Sequence, residues 1–419
     1  MNRFPPDAPV EVRPYQSRRD GDTAVIGDDR RGVYLSIPVE GLDILDSLAQ
    51  GRTVGETVRR YEDKHQESPD IEPFLDALAE EGFVNPAEAA GDVPAPVTQE
   101  RQRWWNLDWV SQKAARRLVN APVLLLGGAV ILTGVWLAAT TPGLMPDQTA
   151  LQFKDHYWMY IVALSVVSMA TVFLHELAHV LATRSLGVKA RIEIGNQLYL
   201  IVGQTDMSGV WLLPRRKRLL AVVAGVLFDL TAMSTLLIVL WLDLTGIAPL
   251  PEPVRVILNA LVFSYLIRFI VQCYMFVRTD LYYAVAIALN TRSLMADTEA
   301  YLLNLWRRIR RSPVRIDQSG VKRKEMWAIR LYAVLWVVGR LAAVASLVFI
   351  TIPLMIYYGG LLGTLLFTGS QESGFGVLDM LSISLLFTLY NGGGVVMWMR
   401  SLARTRRRRK AHPDRVLVA

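Results

Sequence analysis

Thr171 to Arg184 reads TVFLHELAHVLATR, an apolar run interrupted by two histidines and a glutamate. His175 and His179 stand four positions apart, so on a helix both project from one face a turn apart, the spacing at which two imidazoles reach one tetrahedral metal ion. Glu176, beside the first, can take a proton from a water at such an ion. This pattern favours Zn2+ with Glu176 as the catalytic base. A charged side chain at mid-bilayer costs roughly 2.5 to 3.5 kcal/mol on insertion scales, so ionisable groups within an apolar helix mark function.

The elements that must position these residues are membrane helices. The chain of 419 residues is 52% hydrophobic with a mean hydropathy of +0.28, which suits several spans plus one soluble module. Apolar runs at 120–140, 157–183, 219–242, 254–277, 331–358 and 378–399 each approach the roughly 20 residues that a bilayer requires. The expected fold class is therefore mainly α: a polytopic helical membrane protein of about six spans with a small N-terminal winged-helix-like α+β domain.

Charge orients these spans. Lys and Arg gather at 116–117, 215–218, 307–324 and 404–410, while loops 141–156, 244–253 and 359–377 carry almost none. The positive-inside bias then puts both termini in the cytosol, and the expected location is a bacterial cytoplasmic membrane. The basic runs read as topology determinants that contact anionic lipid, and no nucleic-acid partner is expected. Residues 1–29 have no apolar core, so no cleavable signal peptide is expected. The single cysteine, Cys273, excludes an internal disulfide framework.

Four segments follow: residues 1–84 a cytosolic recognition domain, 85–118 a linker and an interfacial Trp/Arg helix, 119–300 the membrane core, and 301–419 a basic loop, further spans and a basic tail. In the first, Val33 to Ser36 reads as a strand, and Leu42, Leu45 and Leu48 have helical spacing. Thr53 with Glu56 forms a capping box, and Asp70 is placed to cap a third helix that stops at Gly82. Between Glu40 and Gly82, four Lys/Arg stand against twelve Asp/Glu, a balance of −8 that repels phosphate and argues against DNA binding. Residues 85–100 are Pro/Ala-rich, and Trp104, Trp105 and Trp109 then stand among basic residues, the composition of a helix in the headgroup layer.

Residues 188–213 alternate, as VKARIEI and QLYLIVGQ around Gly195-Asn196, which predicts a hairpin at the cytosolic membrane face. Open strand edges do not sit in lipid, so protein or substrate must cover it, and Asn196 becomes a possible substrate or support residue. His175 lies nine residues before Arg184, roughly 13 Å inside the boundary at 1.5 Å per residue. Asp280 lies twelve residues before Arg292, at a reachable depth. Arg268 and Arg340 fall inside apolar runs, where either is placed to pair with Asp229.

An H-E-x-x-H on a membrane helix resembles the site-2 protease family of intramembrane zinc metallopeptidases, over residues 120–300. Arg278 to Tyr283, RTDLYY, is similar to the Thr-Asp-Gly-Tyr-Tyr of the branch linked to peptide maturation, with Leu281 in place of glycine. Ala224 to Leu230, AGVLFDL, is similar to the family's Ala-Gly-Pro-x-x-Asn, with Val226 for proline and Asp229 for asparagine. The resemblance implies zinc held by His175, His179 and Asp280, a water at the open position and Glu176 as proton acceptor. The remaining histidines, His65, His156 and His412, fall in soluble or outer segments, so a carboxylate is expected as third ligand. Asp280 leads, Asp229 is its rival, and Cys273 stands behind both.

The stretch Gly32 to Val84 resembles the pyrroloquinoline-quinone synthesis protein D type, a domain that takes up leader peptides as an added strand. Together the two resemblances imply maturation or export of a ribosomally made peptide, with a peptide or protein substrate and with peptide-modifying or export proteins as possible partners. The alternatives are a non-proteolytic membrane protein for peptide binding, export or immunity, and a regulatory protease acting on a membrane-anchored regulator.

Overall fold

A computed structural model of the chain describes residues 3–7, 9–20, 23–28, 33–86, 107, 109–151, 157–197, 200–289, 294–312, 316–318, 321, 323–368, 377–400 and 403. They divide into two compact units, one of Met1–Trp109 with Leu186–Arg191 and Asp206–Arg218, the other of Val110–Ser185, Ile192–Thr205 and Leu219–Ala419.

The first unit opens with β1 (Val10–Val12), β2 (Gln16–Asp20), β3 (Thr23–Asp28) and β4 (Val33–Pro38), followed by α1 (Val39–Ala49), α2 (Val54–His65), α3 (Ile71–Glu80) and β5 (Val84–Pro86). Strands β2, β3 and β4 form an antiparallel meander, and β1 pairs separately with β5. Ala24 and Ile26 alternate inward from β3 and meet Leu42, Leu45 and Leu48 of α1 and Leu75 and Leu78 of α3 in one apolar core. Burying each such leucine or isoleucine stabilises by about 1.5 to 3 kcal/mol.

The caps of these helices follow local chemistry. Both bonds of the predicted box are present, Glu56 N donating to Thr53 Oγ1 and Thr53 N donating to Glu56 Oε2. Asp70 occupies the N-cap position of α3, but its side chain makes no capping bond, which corrects the sequence expectation. Gly82, at φ +70°, stops α3 in the left-handed region open to glycine. The expected strand at Val33 to Ser36 is thus one of several. Across the outer side of the meander lies a 3-10 turn, Ser208–Leu212, whose Leu212 carbonyl accepts from Arg18 Nη1 at 3.2 Å.

The second unit is helical. Its helices are α4 (Gln112–Leu118), α5 (Ala121–Thr140), α6 (Tyr157–Ser185), α7 (Arg215–Leu244), whose first turn belongs to the other unit, α8 (Glu252–Gln272), α9 (Asp280–Leu289), α10 (Leu294–Ile309), α11 (Arg323–Ser346), α12 (Ile352–Thr368) and α13 (Val377–Phe387). Strands β6 (Arg191–Gln197) and β7 (Leu200–Asp206) pair with each other between α6 and α7. Gly195 and Asn196 lie within β6 and not at the turn expected there, and residues 198–199 are outside the described set.

Among the described residues, five helical segments are long and apolar enough to cross a membrane: Gln112–Thr140, Tyr157–Ser185, Arg215–Leu244, Glu252–Gln272 and Glu325–Tyr357. Their apolar surfaces face outward. On α5, Leu125 is 74% exposed and Leu132 73%, an arrangement that suits lipid and not water. The sixth predicted span, 378–399, begins as α13 and passes through a π turn at Thr388–Gly392. The fourth stops at Gln272, and the chain turns helical again at Asp280, so the run that was too long for one span is broken just before that aspartate. The Pro/Ala-rich stretch from residue 87 on, with Trp104, Trp105 and the tail beyond 403, lies outside the described residues.

Candidate metal centre

Helix α6 carries His175 and His179 inward, 5% and 1% exposed, with ring centroids 5.0 Å apart. Their Nε2 atoms are 3.3 Å from each other. Asp280, first residue of α9, brings Oδ2 to 3.1 Å from His175 Nε2 and 3.2 Å from His179 Nε2. Three donors thus form a nearly equilateral triangle. A tetrahedral ion with bonds of about 2.0 to 2.1 Å separates its ligand atoms by roughly 3.3 Å, so the triangle has the dimensions of one face of such a shell. Among the described residues, His175, His179 and Asp280 are the group that could hold a metal ion.

The surroundings fit an ion as well. Each histidine is oriented through its other nitrogen, Nδ1 of His175 lying 2.9 Å from Asp229 Oδ2 and Nδ1 of His179 lying 2.9 Å from the Ala221 carbonyl. Such outer contacts fix ring orientation and tautomer in metal sites. Gly225 of α7 lies against both Nε2 atoms, and a Cβ there would collide with them. Glycine therefore keeps open the space into which the donors point.

Asp229 stands on the Nδ1 side of His175, opposite the Nε2 that faces Asp280, and so lies outside the three-residue group. Its second oxygen accepts from Arg268 Nη1 at 3.1 Å, so the intramembrane pair is Asp229–Arg268. Arg340 instead stacks on Trp336, 4.7 Å from the ring centroid. Cys273 is exposed at the end of α8 and lies outside the donor group. Asn196 sits in β6, and its side chain is outside the described residues.

Glu176 is 7% exposed and accepts at Oε2 from Thr205 Oγ1 at 2.7 Å. Thr205 belongs to β7, and Gly203 of the same strand lies against the Glu176 Cγ, so the hairpin reaches the glutamate directly. Thr205 has no counterpart in the sequence reading. Gln272 is likewise new: its Nε2 donates to Asp280 Oδ2 at 3.0 Å, and its Oε1 accepts from the Asp280 N–H at 3.1 Å. Thr279 Oγ1 closes the intervening loop on the Gln272 carbonyl at 2.8 Å. The loop is braced from α11 too, where Tyr332 donates to the Met275 carbonyl at 2.6 Å and Gly339 packs against Phe276.

Leu281 and Val226 both lie inside helices. Leu281 falls in the first turn of α9 and is not among the positive-φ residues, so no glycine conformation is required there. Val226 is buried at 6% inside the continuous helix α7.

These features define a class: a membrane-type helical protein with a two-histidine, one-aspartate group at the start of a broken helix and a glutamate beside it. Comparison with family models, curated proteins and solved structures finds no match to this chain.

Proposed function

We propose that the chain is a membrane-embedded zinc peptidase of the site-2 protease type, acting on a peptide or on a membrane-associated protein. The observation that carries this reading is the convergence of His175 Nε2, His179 Nε2 and Asp280 Oδ2 within hydrogen-bonding distance of one another, next to the buried Glu176. Two imidazoles and one carboxylate are the donor set of hydrolytic zinc sites, which keep a further position open. A zinc ion there supplies the positive charge that makes a water acidic and a peptide carbonyl electrophilic.

The chain's own residues do the rest. Donation of Nδ1–H to Asp229 and to the Ala221 carbonyl would leave the Nε2 lone pairs of His175 and His179 for the ion. Glu176 holds the proton taken from water and returns it to the departing amide nitrogen. Thr205 fixes the carboxylate through Oε2. The apolar helices keep bulk water away, which strengthens every electrostatic interaction in the site.

The first unit supports a peptide substrate. Its meander leaves β2 and β4 as edge strands, and its helices carry the acidic surplus found between Glu40 and Gly82. A leader peptide added to such an edge gains backbone hydrogen bonds, whereas nucleic acid is repelled. The membrane is the bacterial cytoplasmic membrane with both termini inside, and the process is maturation or export of a ribosomally made peptide.

The test is cleavage by the detergent-solubilised full chain of short peptides encoded beside its own reading frame, read by mass spectrometry, with Glu176→Gln in parallel. Wild type cuts, and the variant holds as much zinc but leaves the peptides whole. Equal products from both proteins would contradict the role of Glu176, and intact peptides in both would favour a non-proteolytic peptide binder.

A further inference from the structure

Helix α8 contributes none of the three donor atoms, yet two of its polar side chains touch both halves of the site. Arg268 and Gln272 are four residues apart and so share one face of the helix. From that face, Arg268 Nη1 reaches Asp229 Oδ1 at 3.1 Å, and the other oxygen of that carboxylate stands 2.9 Å from His175 Nδ1. Arg268 Nη2 also donates to Thr171 Oγ1 at 2.8 Å, one turn before His175 on α6. Gln272, at the last turn, grips Asp280 twice, once at the carboxylate and once at the backbone N–H.

We propose that this face of α8 is the positioning element of the metal centre: Arg268 sets His175 through Asp229, and Gln272 sets Asp280 directly. The proposal rests on the metal-binding reading above. An arginine and an aspartate at membrane depth are costly, and a merely structural pair is satisfied by tying two helices together. Here the chain of contacts goes further. It ends on the far nitrogen of one donor residue and on the oxygen of another, the two places where outer contacts set ligand direction. The amide of Gln272 suits the second task because it donates to the carboxylate and accepts from the N–H with one planar group. Glutamate at 272 has no N–H for Oδ2, and leucine has neither function.

Tyr265 sets the angle from which Arg268 works. It lies one turn earlier on the same face, is 5% exposed, and its ring centroid stands 5.1 Å from the Arg268 guanidinium carbon. Ile267, adjacent in sequence and 45% exposed, points away from the site and provides the control.

The experiment uses the full chain in detergent, stripped of metal and titrated with zinc against a chromophoric chelator, with cobalt(II) absorption recorded on the same samples. Outer-contact substitutions in metal sites weaken binding by about 10- to 100-fold, and that loss is expected for Gln272→Leu, Gln272→Glu and Arg268→Gln, with altered cobalt bands. Ile267→Ala keeps wild-type affinity and bands. A variant that does not fold is recognised by its circular dichroism and set aside for Arg268→Lys and Gln272→Asn, which carry the same expectation of weaker zinc and shifted cobalt bands. Wild-type affinity with an unchanged cobalt spectrum in the folded variants at both positions overturns the proposal, as does an equal loss in Ile267→Ala. Absence of zinc binding by the wild type overturns instead the metal reading beneath it.

Discussion

Asp229 Oδ2 stands 2.9 Å from Nδ1 of His175, the ring nitrogen opposite the one that faces Asp280 and His179. One imidazole is therefore held between two aspartates, and the proposed metal site gives them different tasks that substitution should separate. Asp280→Ala removes a donor and should abolish stoichiometric zinc, whereas Asp229→Ala removes an orienting contact and should weaken zinc by about 10- to 100-fold. Metal content after dialysis against a graded chelator series checks both. Retention in Asp280→Ala with loss in Asp229→Ala would exchange their roles.

Thr205 offers a second handle on the chemistry. Its hydroxyl is 2.7 Å from Glu176 Oε2, and a hydrogen bond to a charged group contributes about 1.5 to 3 kcal/mol. Thr205→Val keeps the β-branched shape that suits β7 but deletes the donor, so peptide cleavage should slow by roughly one to two orders of magnitude by the same figure. Zinc content should not change, and Thr205→Ser should restore most of the rate. Cleavage assays beside metal analysis would show it, and an unchanged rate in the valine variant would remove Thr205 from the account.

Leu45 is fully buried in the core of the first unit, among Ile26, Leu48, Leu75 and Leu78. Leu45→Ala should destabilise that unit by about 2 to 5 kcal/mol, through lost burial and the cavity left behind. Amide hydrogen exchange across α1 in the full chain measures this directly. Exchange at the wild-type rate would mean that the core is not formed as described.

Asp43 gives this unit an acid-side pH dependence. Partial burial raises its carboxyl pKa, but hydrogen bonds from Lys64 and His65 and their charges outweigh that and hold it below the ordinary 3.8. A depressed folded value means that the ionised form stabilises the fold above the unfolded pKa and that this contribution is lost as pH falls through the folded one. Thermal unfolding of the first unit should therefore shift down as pH drops below about 4, and less so in Asp43→Asn. Equal shifts in both proteins would show that Asp43 carries none of the effect.

Much of the site was legible because helix spacing and membrane cost act locally. His175, Glu176 and His179 declare themselves by four-residue spacing in an apolar run, and Asp280 by breaking a run too long for one span. Thr53 and Glu56 were readable for the same reason, since a capping box lies within one turn. Thr205 and Gln272 were not, because each acts only after the chain has folded back; Thr205 meets Glu176 across 29 positions. A signal for Gln272 did exist, as a polar side chain one turn after Arg268 in an apolar helix. Strand β2, QSRRD, has no alternating apolar pattern and pairs only at the edge of the meander, and β1 and β5 are three residues each, too short for a period to emerge. In the β6–β7 hairpin Gly195-Asn196 carries turn chemistry inside a strand, so local sequence points to the wrong place for the turn.

His175 and His179 are proposed to hold one zinc ion inside the membrane core. Mass-spectrometric metal analysis of the purified full chain, beside the double variant His175→Ala with His179→Ala, addresses it most directly. About one zinc per wild-type chain is predicted for a site with this donor set, and essentially none in the double variant. Equal zinc in the two proteins, or none in a folded wild type supplied with the metal, would contradict it.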